Sequence, residues 1–137
     1  RDSSTSRGLG DVYKRQMVRL LEIADKKELF DPIYKDFLWN TMIATSTGSN
    51  KLKGLLPSNT IVGHKTGSSD RNSEGVKIAD NDAGVVIMPD GKKYYIAVFV
   101  MNSRETDDEN AAIIARISRM VYDEYLSENY ISQEGER

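Results

Sequence analysis

Two runs rich in β-branched and aromatic residues, 82–88 and 93–101, flank Pro89-Asp90-Gly91-Lys92 and limit the fold more than any other feature. Such runs joined by turn-forming residues predict a β-hairpin. Within the second run, Tyr95-Ile96-Ala97-Val98-Phe99-Val100 is apolar at both parities. Successive strand residues point to opposite faces, so this strand needs cover on both. A third strand is predicted over Thr60-Ile61-Val62-Gly63-His64, leading into Lys65-Thr66-Gly67-Ser68-Ser69, with a polar loop from Ser69 to Gly75.

Helical patterns bracket these strands. Val18, Leu20, Leu21 and Ile23 suit a short helix over residues 17–24. Asp31-Pro32 reads as an N-cap followed by proline at the first helical position. Tyr34, Phe37, Leu38, Thr41 and Met42 then share one helical face, and Thr47-Gly48-Ser49-Asn50 ends it. Trp39 and Tyr34 are expected to pack in the core or on the helix surface. Lys51-Leu52-Lys53-Gly54-Leu55-Leu56-Pro57 forms a connector. Thr106-Asp107-Asp108-Glu109 fits a capping box ahead of a last helix with a stripe of Ile113, Ile114, Ile117, Met120, Val121 and Tyr125. From Ser127 the chain turns polar and is expected to fray. The order predicts an α+β fold, an antiparallel sheet with N- and C-terminal helices packed on one of its faces. Few residues remain to cover the second face, so the fold is expected to be incomplete.

The first sixteen residues follow a different logic. Ser6-Arg7-Gly8-Leu9-Gly10-Asp11-Val12-Tyr13-Lys14-Arg15-Gln16 looks like the translation of a transposon-type sequencing-library adaptor. Residues 1–16 are therefore set aside as a disordered artefact, 17–126 are taken as one folded part, and 127–137 as a polar tail.

Composition narrows the function classes. A net charge of −2 carries no footprint for nucleic acid or a membrane surface, and no apolar run is long enough to span a bilayer. The chain has no cysteine, which excludes disulfides and thiol chemistry. No His/Asp/Glu cluster has metal-ligand spacing, and no cofactor is expected. The acidic stretch 105–109 suits a helix N-terminus.

The chemistry is concentrated at His64-Lys65-Thr66-Gly67-Ser68-Ser69. A lysine at a strand edge offers an ammonium to an anion, and adjacent hydroxyls can donate to a carboxylate. Glycine lets a ligand lie close to the backbone, and an edge N–H can serve a developing oxyanion. His64 is the only histidine and is assigned to structure rather than to general-base chemistry.

This triplet, the preceding Leu52-Lys53-Gly54-Leu55-Leu56-Pro57, the segment Asn81-Asp82-Ala83-Gly84-Val85-Val86 and the following Pro89-Asp90-Gly91 resemble the C-terminal portion of class A serine β-lactamases, in the subgroup of Bacteroidetes-like and extended-spectrum enzymes. The resemblance extends over nearly all of residues 17–126. It implies that Lys65 holds the substrate carboxylate and tunes the proton network around a serine nucleophile. Thr66 would hydrogen-bond the same carboxylate, and Gly67 would permit close approach. Ser68 would give its N–H to the oxyanion hole. Ser69 and the loop 70–74 would line the mouth, and Lys51 would support carboxylate binding where subgroup members carry arginine. The substrate implied is a small-molecule β-lactam, and the parent enzyme would be a monomer, periplasmic or secreted.

Ser-x-x-Lys and Ser-Asp-Asn are absent, as is a glutamate-bearing loop ahead of Met17. The chain by itself is therefore expected to be inactive, because nucleophile and base must stand within hydrogen-bond reach. Two other readings share the triplet: a fragment of a penicillin-binding transpeptidase or carboxypeptidase, and a non-catalytic α+β module that captures a carboxylate-bearing peptide on a strand edge.

Overall fold

A computed structural model describes residues 3–27 and 29–134. In chain order the elements are α1 (Ser3–Lys26), α2 (Pro32–Ile43), β1 (Ile61–Ser68), β2 (Lys77–Ile87), β3 (Lys93–Ser103) and α3 (Asp107–Glu134). The strands form one antiparallel sheet in the order β1-β2-β3, so β2 is central and β1 is an edge. The β2–β3 hairpin closes through Met88 N–H donating to Lys92 O at 2.7 Å, with Gly91 in the left-handed region at φ +84°. The turn chemistry of Pro89-Asp90-Gly91 requires that glycine.

The helices divide between two faces of the sheet, which corrects the expectation of one helical face. Trp39 of α2 lies against Gly63, and Tyr95 donates its hydroxyl to Asp25 of α1 at 2.7 Å. On the opposite face Val62, Val86, Met88, Tyr94, Ile96 and Val98 form a core with Leu52 and Leu56 of the connector and Ile114 and Tyr122 of α3. The both-sided apolar pattern of β3 is thus met by three layers, α1 and α2, the sheet, and α3 with the connector.

Cover on the α1–α2 side is incomplete: Tyr95, Ala97 and Phe99 of β3 are half-buried and Met101 is 47% exposed, and α2 itself is open to solvent. Lys35, Trp39 and Met42 turn partly inward, while Ile33, Tyr34 and Phe37 are 75%, 68% and 71% exposed. Most of the apolar face expected to bury therefore points to solvent. The side of α2 that reaches the sheet is the one carrying Trp39, where glycine at position 63 leaves room for the indole.

Three features of the helices differ from the sequence reading. Helix α1 begins at Ser3 and not at Met17, crossing the adaptor-like segment. Once residues 17–26 are packed, propagation adds one hydrogen bond per residue and meets no proline. Helix α3 runs to Glu134 for the same reason, with no proline or glycine before Gly135. Its inward face is also rotated from the expected stripe. Asn110, Ala111, Ile114, Ala115, Ser118 and Tyr122 are buried, whereas Met120 is exposed. Small residues face the connector, and Ser118 Oγ donates to Leu52 O at 2.8 Å. The caps are as expected: Ile33 N–H donates to Asp31 Oδ1 and Glu109 N–H to Thr106 Oγ1, both at 3.1 Å.

Candidate active site

The triplet lies inside β1 rather than after it. Register pairs Lys65 with Ala83, Thr66 with Asp82, Gly67 with Asn81 and Ser68 with Asp80. In the next pair, Ser69 N–H donates to Ala79 O at 2.9 Å. Antiparallel ladders alternate hydrogen-bonded and non-bonded pairs. Residues 69, 67, 65 and 63 therefore bond to β2, and 68, 66 and 64 turn their N–H and C=O groups away from it. His64 fits this phase, since its carbonyl accepts from Thr45 Oγ1 at 3.1 Å on the far side. The edge is capped at His64 and lies uncovered by any strand at Thr66 and Ser68.

Side chains on this edge take distinct places. Lys65 is exposed, and its Nζ donates to Thr66 O. Thr66 is half-buried with its Oγ1 at 3.2 Å from Thr47 Oγ1. Gly48, at φ +66°, brings that connector close: a Cβ there would stand 2.4 Å from Thr66 Cγ2. A Cβ on Gly67 would meet nothing within 4 Å. Protein packing therefore does not require glycine at 67, and the absent side chain keeps the edge open to a ligand. Ser68 is exposed, and its N–H points outward beside Lys65.

Two further residues named from sequence are held by hydrogen bonds. Ser69 Oγ accepts from Ala79 N–H at 3.1 Å and donates to Asp70 O at 2.9 Å, so its hydroxyl closes the end of the ladder. Lys51 is 9% exposed, and its ammonium lies 2.5 Å from Asp80 Oδ1 and 3.5 Å from Asn81 O. A buried carboxylate opposite Ser68 has drawn it behind the strand. Lys51 is thus held in a buried ion pair.

Two carboxylates of β2 went unnoticed in the sequence, although residues two apart in a strand share a face. Asp82 is fully buried, receives Leu52 N–H at 3.1 Å, and holds His64 Nδ1 at 2.9 Å from both oxygens. His64 is thus fixed within the sheet by Asp82. Asp80 and Asp82 together tie Lys51, Leu52 and His64 into one layer beneath the triplet. The loop after Ser69 is also fixed. Arg71 donates to Gly75 O at 2.9 Å, Glu105 O at 2.7 Å and Asp107 Oδ1 at 2.8 Å, and Asn72 Oδ1 accepts Glu74 and Val76 N–H groups. Hydrogen bonds from Lys77 and then Arg71 hold the Asp107 carboxyl below the usual range. Among the described residues, no group of three or more His, Asp or Glu side chains could hold a metal ion.

A lysine, two hydroxyls and an outward N–H on an uncovered edge suit an anionic ligand with a polarised carbonyl. The family model described as "Beta-lactamase enzyme family" matches residues 12–125. The chain belongs to this β-lactamase family. A β-lactamase of Bacteroides uniformis is 73% identical over 108 residues, which is 78% of this chain and 36% of the relative. The β-lactamase VEB-1 of Pseudomonas aeruginosa is 46% identical over 103 residues, 75% of this chain and 34% of that protein. Among solved structures, a class A β-lactamase from Bacteroides cellulosilyticus superposes with a TM-score of 0.79 at 68% identity, covering 80% of this chain and 40% of that one. The fold is accordingly an incomplete class A β-lactamase α+β fold, and this chain spans about a third of the length of its sequence relatives. No helix among the described residues is long and apolar enough to cross a membrane.

Proposed function

We propose that this chain is the substrate-carboxylate and oxyanion part of a class A serine β-lactamase whose complete form hydrolyses the β-lactam amide through a serine acyl-enzyme. The observation that carries the reading is the phase of β1: Ser68 directs its N–H out of the sheet on the same uncovered edge that bears Lys65 and Thr66. The Lys65 ammonium draws in the substrate carboxylate, and the Thr66 hydroxyl donates to it. The bare Gly67 lets the substrate lie along the strand, placing the lactam carbonyl oxygen at the Ser68 N–H. As the carbonyl becomes tetrahedral, that donor stabilises the charge formed on oxygen. The acylated serine, its lysine partner and the glutamate that activates the deacylating water lie in the part of the fold this chain does not span. Alone, the chain does not turn over substrate. The complete enzyme acts as a monomer in the periplasm or outside the cell.

Exchange tests the reading. Residues 17–126 replace the matching stretch of the Bacteroides uniformis β-lactamase, and hydrolysis of a chromogenic cephalosporin is followed. Turnover by the exchanged enzyme, together with none from the 137-residue chain alone, is expected. A folded exchange enzyme without turnover refutes the assignment.

A further inference from the structure

The Asp80–Lys51 pair lies against the site, and its net charge bears on substrate binding. The register places Asp80 opposite Ser68, and the Lys51 ammonium, 2.5 Å from Asp80 Oδ1, also reaches Asn81 O opposite Gly67. The lysine stem passes the Gly48 turn, its Cδ 3.3 Å from where a Gly48 Cβ would stand, and that same point is 2.4 Å from Thr66 Cγ2. A cation is therefore lodged behind the strand segment from Thr66 to Ser68. Asp80 is 2% and Lys51 9% exposed, so water screens neither charge well.

We infer that Asp80 neutralises Lys51, and that this pair sets how strongly the edge attracts the substrate carboxylate without either side chain touching substrate. This rests on the β-lactamase reading above. With both charges present, their fields at the edge largely cancel, and the attraction comes from Lys65. Removing only the carboxylate leaves a second positive charge beneath the binding edge. Asp80 and Lys51 are on this account positioning residues that tune affinity through charge. A direct carboxylate contact by Lys51 predicts a different pattern.

The test uses the exchange enzyme with an anionic chromogenic cephalosporin at low and high salt. Asp80→Asn is expected to lower KM by about three- to tenfold at low salt, with kcat little changed and most of the gain kept at high salt, because the Lys51 charge is buried. Asp80→Glu, which keeps the charge, is expected to restore the original KM. Unchanged or raised KM in a folded Asp80→Asn variant would overturn the inference. If that variant fails to fold, Lys51→Met combined with Asp80→Val removes both charges and leaves neither unpaired, a change that buried pairs often tolerate. Its KM is expected to stay within about threefold of the unsubstituted enzyme, since the two fields cancel. A rise of about tenfold or more would place Lys51 on the substrate and refute the neutralised pair. If the unsubstituted exchange enzyme is inactive, the hydrolase reading itself fails and this inference fails with it.

Discussion

His64 and Asp82 are joined face to face inside the sheet: the imidazole Nδ1 stands 2.9 Å from both carboxylate oxygens, and neither side chain is exposed to solvent. His64 directly precedes Lys65, and Asp82 lies opposite Thr66, so this contact fixes the strand that carries the site. Asp82 also accepts Leu52 N–H, anchoring the connector. Asp82→Ala strands two buried donors at once. The expected loss is about 3–5 kcal/mol, measured as the fall in free energy of urea unfolding. A loss under about 1 kcal/mol would show that His64 and the connector find other partners.

Two glycines of the sheet are set by neighbours rather than by turns. A Cβ on Gly63 would stand 2.9 Å from Trp39 Cζ3, a ring that can shift slightly. A Cβ on Gly84 would stand 2.4 Å from Gly63 O and 2.8 Å from His64 Cβ, and backbone cannot give way so cheaply. Gly84→Ala is therefore expected to lower the unfolding midpoint more than Gly63→Ala, each costing about 1–3 kcal/mol or more. Combining Gly63→Ala with Trp39→Leu should recover part of its loss. Equal effects at 63 and 84 would contradict this ranking.

Asp25 links α1 to β3, receiving Tyr95 Oη at 2.7 Å and Lys93 Nζ at 3.0 Å. Burial pushes its pKa up, but hydrogen bonds from Tyr95 and Lys93 outweigh that, and the net shift is downward. A depressed carboxyl contributes stability that is complete above its unfolded pKa and lost as pH falls through the folded value. Burial, and then the hydrogen bond to Asp25, pushes the Tyr95 phenol well above its ordinary range. Its contribution is complete below the unfolded pKa and lost at higher pH. The stability gap between this chain and its Asp25→Asn variant should thus be flat from about pH 5 to 9 and shrink below about pH 4 and above about pH 10. A gap that persists unchanged at pH 2 would rule out the linkage.

The sheet and caps were legible because their signals are local. The hairpin turn, the Asp31 and Thr106 caps and the apolar parity of β3 each depend on a few adjacent residues. The same parity implied cover on both faces, yet which helix goes to which face was not readable, since that depends on contacts such as Trp39 with Gly63. Within the site, Lys65 to Ser68 stood out as a motif, whereas Asp80 and Asp82 did not. Charged residues in a strand ordinarily mark its solvent side, and their partners Lys51 and His64 are 29 and 18 positions away. The ion pair of Lys51 was not readable for the same reason: its partner is distant in sequence.

The outward face of α2 leads to a prediction about solubility. Ile33, Tyr34 and Phe37 form an exposed apolar patch on one helix. Replacing Ile33 with Lys and Phe37 with Glu is expected to raise the soluble yield of the isolated chain without lowering its free energy of unfolding by more than about 0.5 kcal/mol. In the exchange enzyme the same pair should be destabilising if the remaining fold packs there. Equal stability in both contexts would show that α2 faces water in the complete protein too.

The central claim is that the Ser68 N–H, turned outward by the phase of β1, is the oxyanion donor. Proline removes an N–H, and an edge strand tolerates it where that N–H does not bond to a neighbour. The decisive measurement is kcat of the exchange enzyme carrying Ser68→Pro beside one carrying Ser68→Ala, with folding of each verified by circular dichroism. Ser68→Pro is expected to lose about 10²–10³-fold in kcat while Ser68→Ala keeps most of it. A folded Ser68→Pro enzyme with undiminished kcat would contradict it.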